Sequence, residues 1–240
     1  MIRGWLGLFP RFSKNRAGAQ SAFLGSRINR KGTPIAAWAR SSSTRAGPEK
    51  LYFRVMAVLI SLLRGVNLGA HHRIKMDALR SLYESLQLEE ARTYVQSGNV
   101  IFRTKEKKSP QLAKKIQSAI ERAFGFSPEV ILRTTDELRK ALAVNPFAGR
   151  SDVEPGKLLV TFLAGDPGRE AQVRLGNLKR QKEELHLVGR ELYIYFPDGA
   201  GKSKLPWSSV EKLMQTTGTA RNLNSVMKII EIAEQLEAPH

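Results

Sequence analysis

Residues 92–104 have the sequence RTYVQSGNVIFRT, and this stretch decides the fold prediction. Two runs rich in β-branched and aromatic residues, 92–96 and 100–104, flank the turn residues Ser97, Gly98 and Asn99. That arrangement predicts a β-hairpin. The continuous apolar run AVLISLL at residues 57–63 ends at Arg64 and predicts a buried strand before the hairpin.

Two helices and a fourth strand complete the first half of the chain. Apolar residues recur at helical spacing over residues 76–86, and Ser109-Pro110 is a favourable start for a second helix, which Gly125 ends. Residues 129–133 (EVILR) predict the fourth strand. The order β-α-β-β-α-β predicts a ferredoxin-like domain over residues 56–147.

The second half repeats part of this pattern. Strands are predicted at residues 157–163, 185–188 and 191–196, and helices at residues 169–182, 206–215 and 220–236. The order β-α-β-β-α-α predicts a smaller α+β domain over residues 157–237 that ends in a long helix. The fold class predicted for the whole chain is therefore α+β.

The net charge of +17 is concentrated at the N-terminus. Residues 1–55 contain eleven Lys or Arg and one acid, Glu49, so they carry +10 and the remaining 185 residues carry +7. This composition predicts a disordered basic extension. Three origins fit it: sequence upstream of a true start at Met56, a targeting leader, or a functional basic arm.

Composition also limits the location and the chemistry. The chain contains no Cys, which excludes disulfides and thiolate catalysis, and no apolar run approaches the ~18 residues that cross a membrane. We therefore expect a cytoplasmic protein without a membrane partner. His71-His72 lacks the spacing and the additional ligands of a metal site, so neither a metal nor another cofactor is predicted.

Polar residues follow two strands that should run in the same direction. Arg64 and Asn67 follow the first strand, and Ser97 and Asn99 lie in the hairpin turn. A right-handed crossover brings these segments to one edge of the sheet, where they would form one wall of a ligand site. In the alternative interpretation, the amide and hydroxyl groups only stabilise tight turns.

The second half supplies candidates for the facing wall. Lys202 and Lys204 lie in the glycine loop at residues 198–204, and Arg221 and Asn222 lie near the predicted start of the last helix. The loop resembles a P-loop only in Gly-Lys-Ser, because Phe196 occupies the position of the first glycine. An Arg in a first helical turn opposes the helix dipole unless an anion or a carboxylate lies beside it.

The chain resembles the domain of unknown function 1697 family (DUF1697), a bacterial group of small cytosolic proteins. The resemblance rests on the segments LLRGVNLG, TYVQSGNVIF, NPF, KLLVTFL, PDGAGKSKL and TARNLNSVMKI, which occur in this order between residues 57 and 236. It implies a ferredoxin-like first domain followed by a smaller α+β part. It implies no activity.

These observations predict a protein that binds a small anionic ligand between its halves, and they leave open whether it is an enzyme. The alternative is a module that binds nucleic acid or a protein partner. RNA recognition through the sheet is disfavoured, because the first strand has no aromatic residue and the third has only Phe102. Nucleic acid is therefore expected only at the basic extension, and the oligomeric state is left open.

Overall fold

The computed structural model describes residues 56–68, 72–205 and 207–238. Within them it has an α+β fold with two four-stranded antiparallel sheets and six α-helices. The predicted extension at residues 1–55 lies outside the described residues.

The first half contains four strands and three helices. In chain order they are β1 (Ala57–Leu63), α1 (Met76–Ser85), β2 (Glu89–Tyr94), β3 (Asn99–Thr104), α2 (Pro110–Phe124), β4 (Val130–Thr134) and α3 (Thr135–Ala143). The strand order β2-β3-β1-β4 is compatible with the ferredoxin-like arrangement that the sequence predicts.

The second half has a matching sheet. Its elements are β5 (Leu158–Leu163), α4 (Ala171–Gly176), β6 (Glu184–Val188), β7 (Glu191–Tyr195), α5 (Trp207–Met214), β8 (Gly218–Asn222) and α6 (Leu223–Glu237). The strand order β6-β7-β5-β8 repeats the order of the first sheet. Two sequence predictions are wrong here: β8 was not predicted, and α4 covers only six of the residues predicted as helix 169–182.

Three hydrophobic clusters hold the layers together. One lies between the first sheet and helices α1 and α2, and another lies between the second sheet and helices α4 and α5. The third contains side chains of both sheets, such as Ile60 and Phe162, packed with Ile229 of α6. The two sheets therefore share a core, and the described residues belong to one compact unit. The predicted domain boundaries, 56–147 and 157–237, stay predictions.

Local signals set the helix ends. The Ser109 hydroxyl accepts a hydrogen bond from the Leu112 N–H, Pro110 is the first helical residue of α2, and Gly125 ends the helix at φ +78°. Thr134 and Glu137 form a capping box at the start of α3. Helix α2 therefore begins and ends where the sequence predicts.

Candidate functional site

A cavity of about 630 Å³ lies where the end of β1 approaches β8. The loop after β1, the segment 126–129 before β4, one side of α5 and strand β8 surround it. Its wall includes Arg64, Ser97 and Arg221 from the sequence-predicted set. The topology of the first sheet accounts for part of this convergence, because the Leu63 N–H donates to the Gly98 carbonyl at 2.8 Å.

Arg221 is the most unusual residue of this wall. It lies in β8 and is only 7% exposed. Its Nε donates to Asn99 Oδ1, and its two terminal nitrogens donate to four further oxygen atoms of neighbouring residues. These acceptors are the Leu63, Ser97 and Ala220 carbonyls, at 2.8 to 2.9 Å, and the Thr219 hydroxyl at 2.7 Å. All five N–H donors of the guanidinium are thus engaged.

None of these acceptors carries a charge. Among the described residues, no carboxylate lies within 4.0 Å of the Arg221 guanidinium, whereas the other buried arginine, Arg133, has Glu191 at 3.6 Å. Burial lowers the pKa of Arg221 to about 10. The cavity wall therefore contains a buried positive charge that hydrogen bonds stabilise and that no described carboxylate within 4.0 Å neutralises.

Arg64 behaves differently. Its guanidinium forms an ion pair with Glu211 of α5 at 2.6 Å, and both side chains are more than a third exposed. A second acid, Glu129, accepts a hydrogen bond from the Thr217 hydroxyl at 2.5 Å. The cavity therefore contains two arginines and two glutamates, of which Arg64 and Glu211 are open to solvent.

Strand β8 offers backbone groups to the cavity. In the described part of the chain it is an edge strand that pairs with β5. Because the Ala164 N–H donates to the Thr217 carbonyl, the ladder bonds fall on Thr219 and Arg221 by the alternation of antiparallel pairs. The N–H and C=O groups of Gly218 and Ala220 then point away from β5, toward the cavity that these residues line.

Aromatic side chains border the opening. The His72 ring stacks on the Phe126 ring with centroids 4.5 Å apart and planes inclined by 19°. Trp207, at the start of α5, is 39% exposed. These rings offer flat apolar surface next to the charged groups.

Similarity to known proteins identifies the family of this chain. The sequence model described as "Protein of unknown function (DUF1697)" matches residues 56–193. The chain belongs to the DUF1697 family. A solved structure of a conserved bacterial protein from Streptococcus pneumoniae superposes on 74% of this chain and 99% of its own, with a TM-score of 0.55 and 20% identity. That likeness supports the fold alone. No curated protein matches the sequence.

In two predicted site residues of this DUF1697 chain, the side-chain amide already forms hydrogen bonds with other groups of the protein. Asn67 donates to the Ile74 and Gln96 carbonyls at 3.1 and 2.7 Å and accepts from the Ile74 N–H, which ties the loop after β1 to the hairpin turn. Asn99 is fully buried and holds the Arg221 Nε. These are the kind of bonds that the alternative interpretation describes, and whether either residue also binds a ligand stays a prediction.

The structure does not bring Lys202, Lys204 or Asn222 to the cavity. Lys202 borders a hollow of about 30 Å³ beside Asp198, and Lys204 borders a separate hollow of about 130 Å³. Asn222 caps α6 by accepting from the Ser225 N–H at 2.8 Å. Arg221 precedes the helix as a strand residue, so the predicted conflict with a helix dipole does not arise.

The sequence analysis did not identify Glu129, Trp207 or Glu211. Trp207 and Glu211 are four residues apart on α5 and so share a helix face, which is a detectable signal. Their approach to Arg64 depends on packing between the halves. In the described part of the chain, no cluster of three or more His, Asp or Glu side chains could bind a metal, and no helix could span a membrane.

Proposed function

We propose that the cavity binds a small molecule that carries an anionic group. The observation that carries this proposal is the buried charge of Arg221, which no described carboxylate neutralises within 4.0 Å. Removing a cation from water costs several kcal/mol unless an opposite charge compensates it. A ligand anion in the adjoining cavity would provide that compensation.

Arg221 acts in this proposal as a fixed charge. Its N–H donors already bond to oxygen atoms of the protein, so Arg221 forms no hydrogen bond with the ligand. The contacting donors are the Arg64 guanidinium, which exchanges Glu211 for the ligand, and the outward N–H groups of Gly218 and Ala220. The Arg64–Glu211 pair is suited to such an exchange, since half-exposed ion pairs contribute only about 0–1 kcal/mol.

The aromatic rim suggests the remainder of the ligand. The exposed faces of Trp207 and of the His72–Phe126 stack would cover a planar or apolar group next to the anion. A ring that bears a phosphate or a carboxylate matches both parts of the site. We propose no reaction, and the cytoplasmic location stays a prediction.

The test uses AMP, inorganic phosphate and adenosine with the full-length chain. We expect AMP to raise the melting temperature and to bind in a titration with one site per chain, because it combines a phosphate with a planar ring. Adenosine lacks the anion and should bind at least tenfold more weakly. At a concentration of 100 times the dissociation constant, AMP should add about 2.7 kcal/mol to the unfolding free energy.

Two variants connect the binding to this cavity. Arg64→Ala removes the contacting donor, and Asn99→Asp places a carboxylate against the Arg221 Nε and so neutralises the fixed charge. Both should weaken AMP binding at least tenfold. Arg150→Ala is the matched control, because Arg150 forms an equally short ion pair with Glu184 at similar exposure but does not line the cavity.

The basic segment 1–55 also attracts phosphates, so affinity alone does not support the proposal. Binding through that segment would be unchanged in Arg64→Ala. If all three probes bind equally to the wild type and to both cavity variants, the cavity is not an anion site.

A further inference from the structure

A groove of about 380 Å³ lies at the β4 edge of the first sheet. Strand β4, the first half of α2, and Ala164 and Arg190 of the second half line it. Of its lining residues, Glu129 alone also lines the cavity described above. We call this space the edge groove, and it is a surface separate from the proposed anion site.

Strand β4 has backbone groups that face away from its sheet. In the described part of the chain β4 pairs with β1, and the Arg64 N–H donates to the Glu129 carbonyl at 2.9 Å. By the alternation of antiparallel pairs, the ladder bonds to β1 therefore fall on the odd-numbered residues of β4. The N–H and C=O groups of Val130 and Leu132 point away from β1, on the side of the edge groove that these residues line.

Two of these outward donors have no partner among the described residues. The Thr134 N–H, which has the same orientation, donates to Glu137 Oε2 at 2.8 Å, and the Leu132 carbonyl accepts from the Arg133 guanidinium at 3.1 Å. The N–H groups of Val130 and Leu132 form no hydrogen bond with a described residue. An edge of this kind is a template for pairing with a further strand.

The edge groove also has surplus positive charge. Lys108 and Arg190 share one carboxylate, because both form an ion pair with Glu137 Oε1, the second of them at 3.1 Å. Lys114 is exposed and forms no ion pair with a described residue. These three cations line the groove with one carboxylate between them, so they favour an acidic occupant.

We propose that the edge groove binds an extended acidic segment of another protein, which adds a strand to β4. Main-chain hydrogen bonds to Val130 and Leu132 hold the segment in place. Its carboxylates pair with Lys108, Lys114 and Arg190. Strand β4 has five residues and is about 17 Å long, which matches a segment of roughly five to seven residues.

Charge distinguishes this occupant from the basic segment of the chain itself. Residues 1–55 contain eleven Lys or Arg and one acid, so the surplus cations of the groove repel them. The other two charges of the lining, Arg133 and Glu129, have opposite signs and leave the surplus unchanged.

The test titrates the full-length chain with three acetylated and amidated peptides: TVTVTEE, TVTVTKK, and TVTVTEE with N-methyl groups on its second to fifth residues. We expect TVTVTEE to bind at least tenfold more tightly than the other two, because TVTVTKK reverses the charge and the methylated peptide lacks the main-chain donors. Amide hydrogen exchange followed by NMR locates the site. Saturating TVTVTEE should slow the exchange of the Val130 and Leu132 amides at least tenfold.

Lys114→Glu tests the charge of the groove. It should weaken the binding of TVTVTEE at least fivefold and strengthen the binding of TVTVTKK. Lys140→Glu is the matched control, because Lys140 is also an exposed helical lysine without an ion pair to a described residue, but it does not line the groove. This control should leave both affinities unchanged.

Each contrary outcome overturns the proposal. Equal binding of the three peptides, or binding that Lys114→Glu leaves unchanged, means that the peptides bind outside the edge groove, for example to the basic segment 1–55. Slow exchange of the Val130 and Leu132 amides before any peptide is added means that the groove is already covered. A second copy covers it if sedimentation shows a dimer, and a segment of the same chain covers it if sedimentation shows a monomer. None of these results depends on AMP, so the anion site stands or falls separately.

Discussion

Replacing Asn99 by Ala tests whether the buried polar cluster around Arg221 supports the fold. The Asn99 amide donates to the Tyr94 carbonyl and to the Ser97 hydroxyl, both at 2.9 Å, and its oxygen accepts from the Arg221 Nε. The side chain is fully buried, so water does not replace these bonds without local opening. The substitution removes the acceptor of the Arg221 Nε and so leaves a buried charged donor without that partner.

The magnitude follows from these three bonds. Each of the two neutral hydrogen bonds contributes about 1 kcal/mol, and the bond to the guanidinium contributes about 1.5–3 kcal/mol. We therefore expect Asn99→Ala to lower the unfolding free energy by about 4 kcal/mol. That is a large share of the roughly 5–15 kcal/mol that keeps a natural domain folded.

Urea unfolding followed by circular dichroism measures this change as a shift of the midpoint with an unchanged slope. Asn145→Ala is the control, because among the described residues the Asn145 oxygen accepts a single hydrogen bond, from the Phe147 N–H at 3.0 Å. It should cost about 1 kcal/mol. A double-mutant cycle with Arg221→Met should give a coupling energy of about 1.5–3 kcal/mol. Equal losses in the two Asn variants, or a coupling near zero, would refute the reasoning.

Three further predictions concern other parts of the fold. In urea titrations, Gly98→Ala should lower the unfolding free energy by more than Gly125→Ala. Both glycines have positive φ, but of the two only Gly98 is crowded, because a Cβ there would lie 2.7 Å from Leu63 Cβ. Tyr83→Phe should cost about 1–3 kcal/mol in the same assay, because it leaves the buried Ser61 hydroxyl without the phenol that donates to it at 2.7 Å. Burial raises the pKa of Glu137, but hydrogen bonds from Lys108 and the Thr134 N–H outweigh it and hold the pKa below its ordinary value of 4.5. The ionised Glu137 carboxylate therefore stabilises the fold above pH 4.5, and this contribution is lost as the pH falls through the lowered pKa. Glu137→Gln should accordingly make the unfolding free energy fall less steeply with decreasing pH.

Sequence alone predicted the elements whose signals are local. The ends of α2 follow from Ser109, Pro110 and Gly125, which act within one turn of the helix. Strand β8 lacks such a signal. Its five residues, GTARN, carry little apolar character, and its pairing with β5 across more than fifty residues defines it as a strand. Tertiary contacts therefore overrode the local helix prediction at residue 220.

For the candidate site as well, some contacts follow from the sequence and the chain topology and others do not. The approach of the loop after β1 to the hairpin turn follows from topology, and the structure shows it in the bond from Asn67 to the Gln96 carbonyl at 2.7 Å. Reasoning from topology does not give the contacts that residues of the second half make with this edge of the sheet. Arg221 meets Asn99 across 122 residues, and Arg64 meets Glu211 across 147. Whether the predicted residues bind a ligand stays a prediction.

In the proposed anion site, the distribution of free hydrogen-bonding groups would determine how the cavity discriminates between ligands. Arg221 has no donor left, so in this proposal it would favour any anion by charge and recognise no particular shape. Discrimination must come from groups that still have capacity to bond. In the proposed site these are the half-exposed Arg64 and the outward amides of β8. They lie at the mouth and along the wall of the cavity, so the proposed site would favour a ligand long enough to reach both over a compact anion.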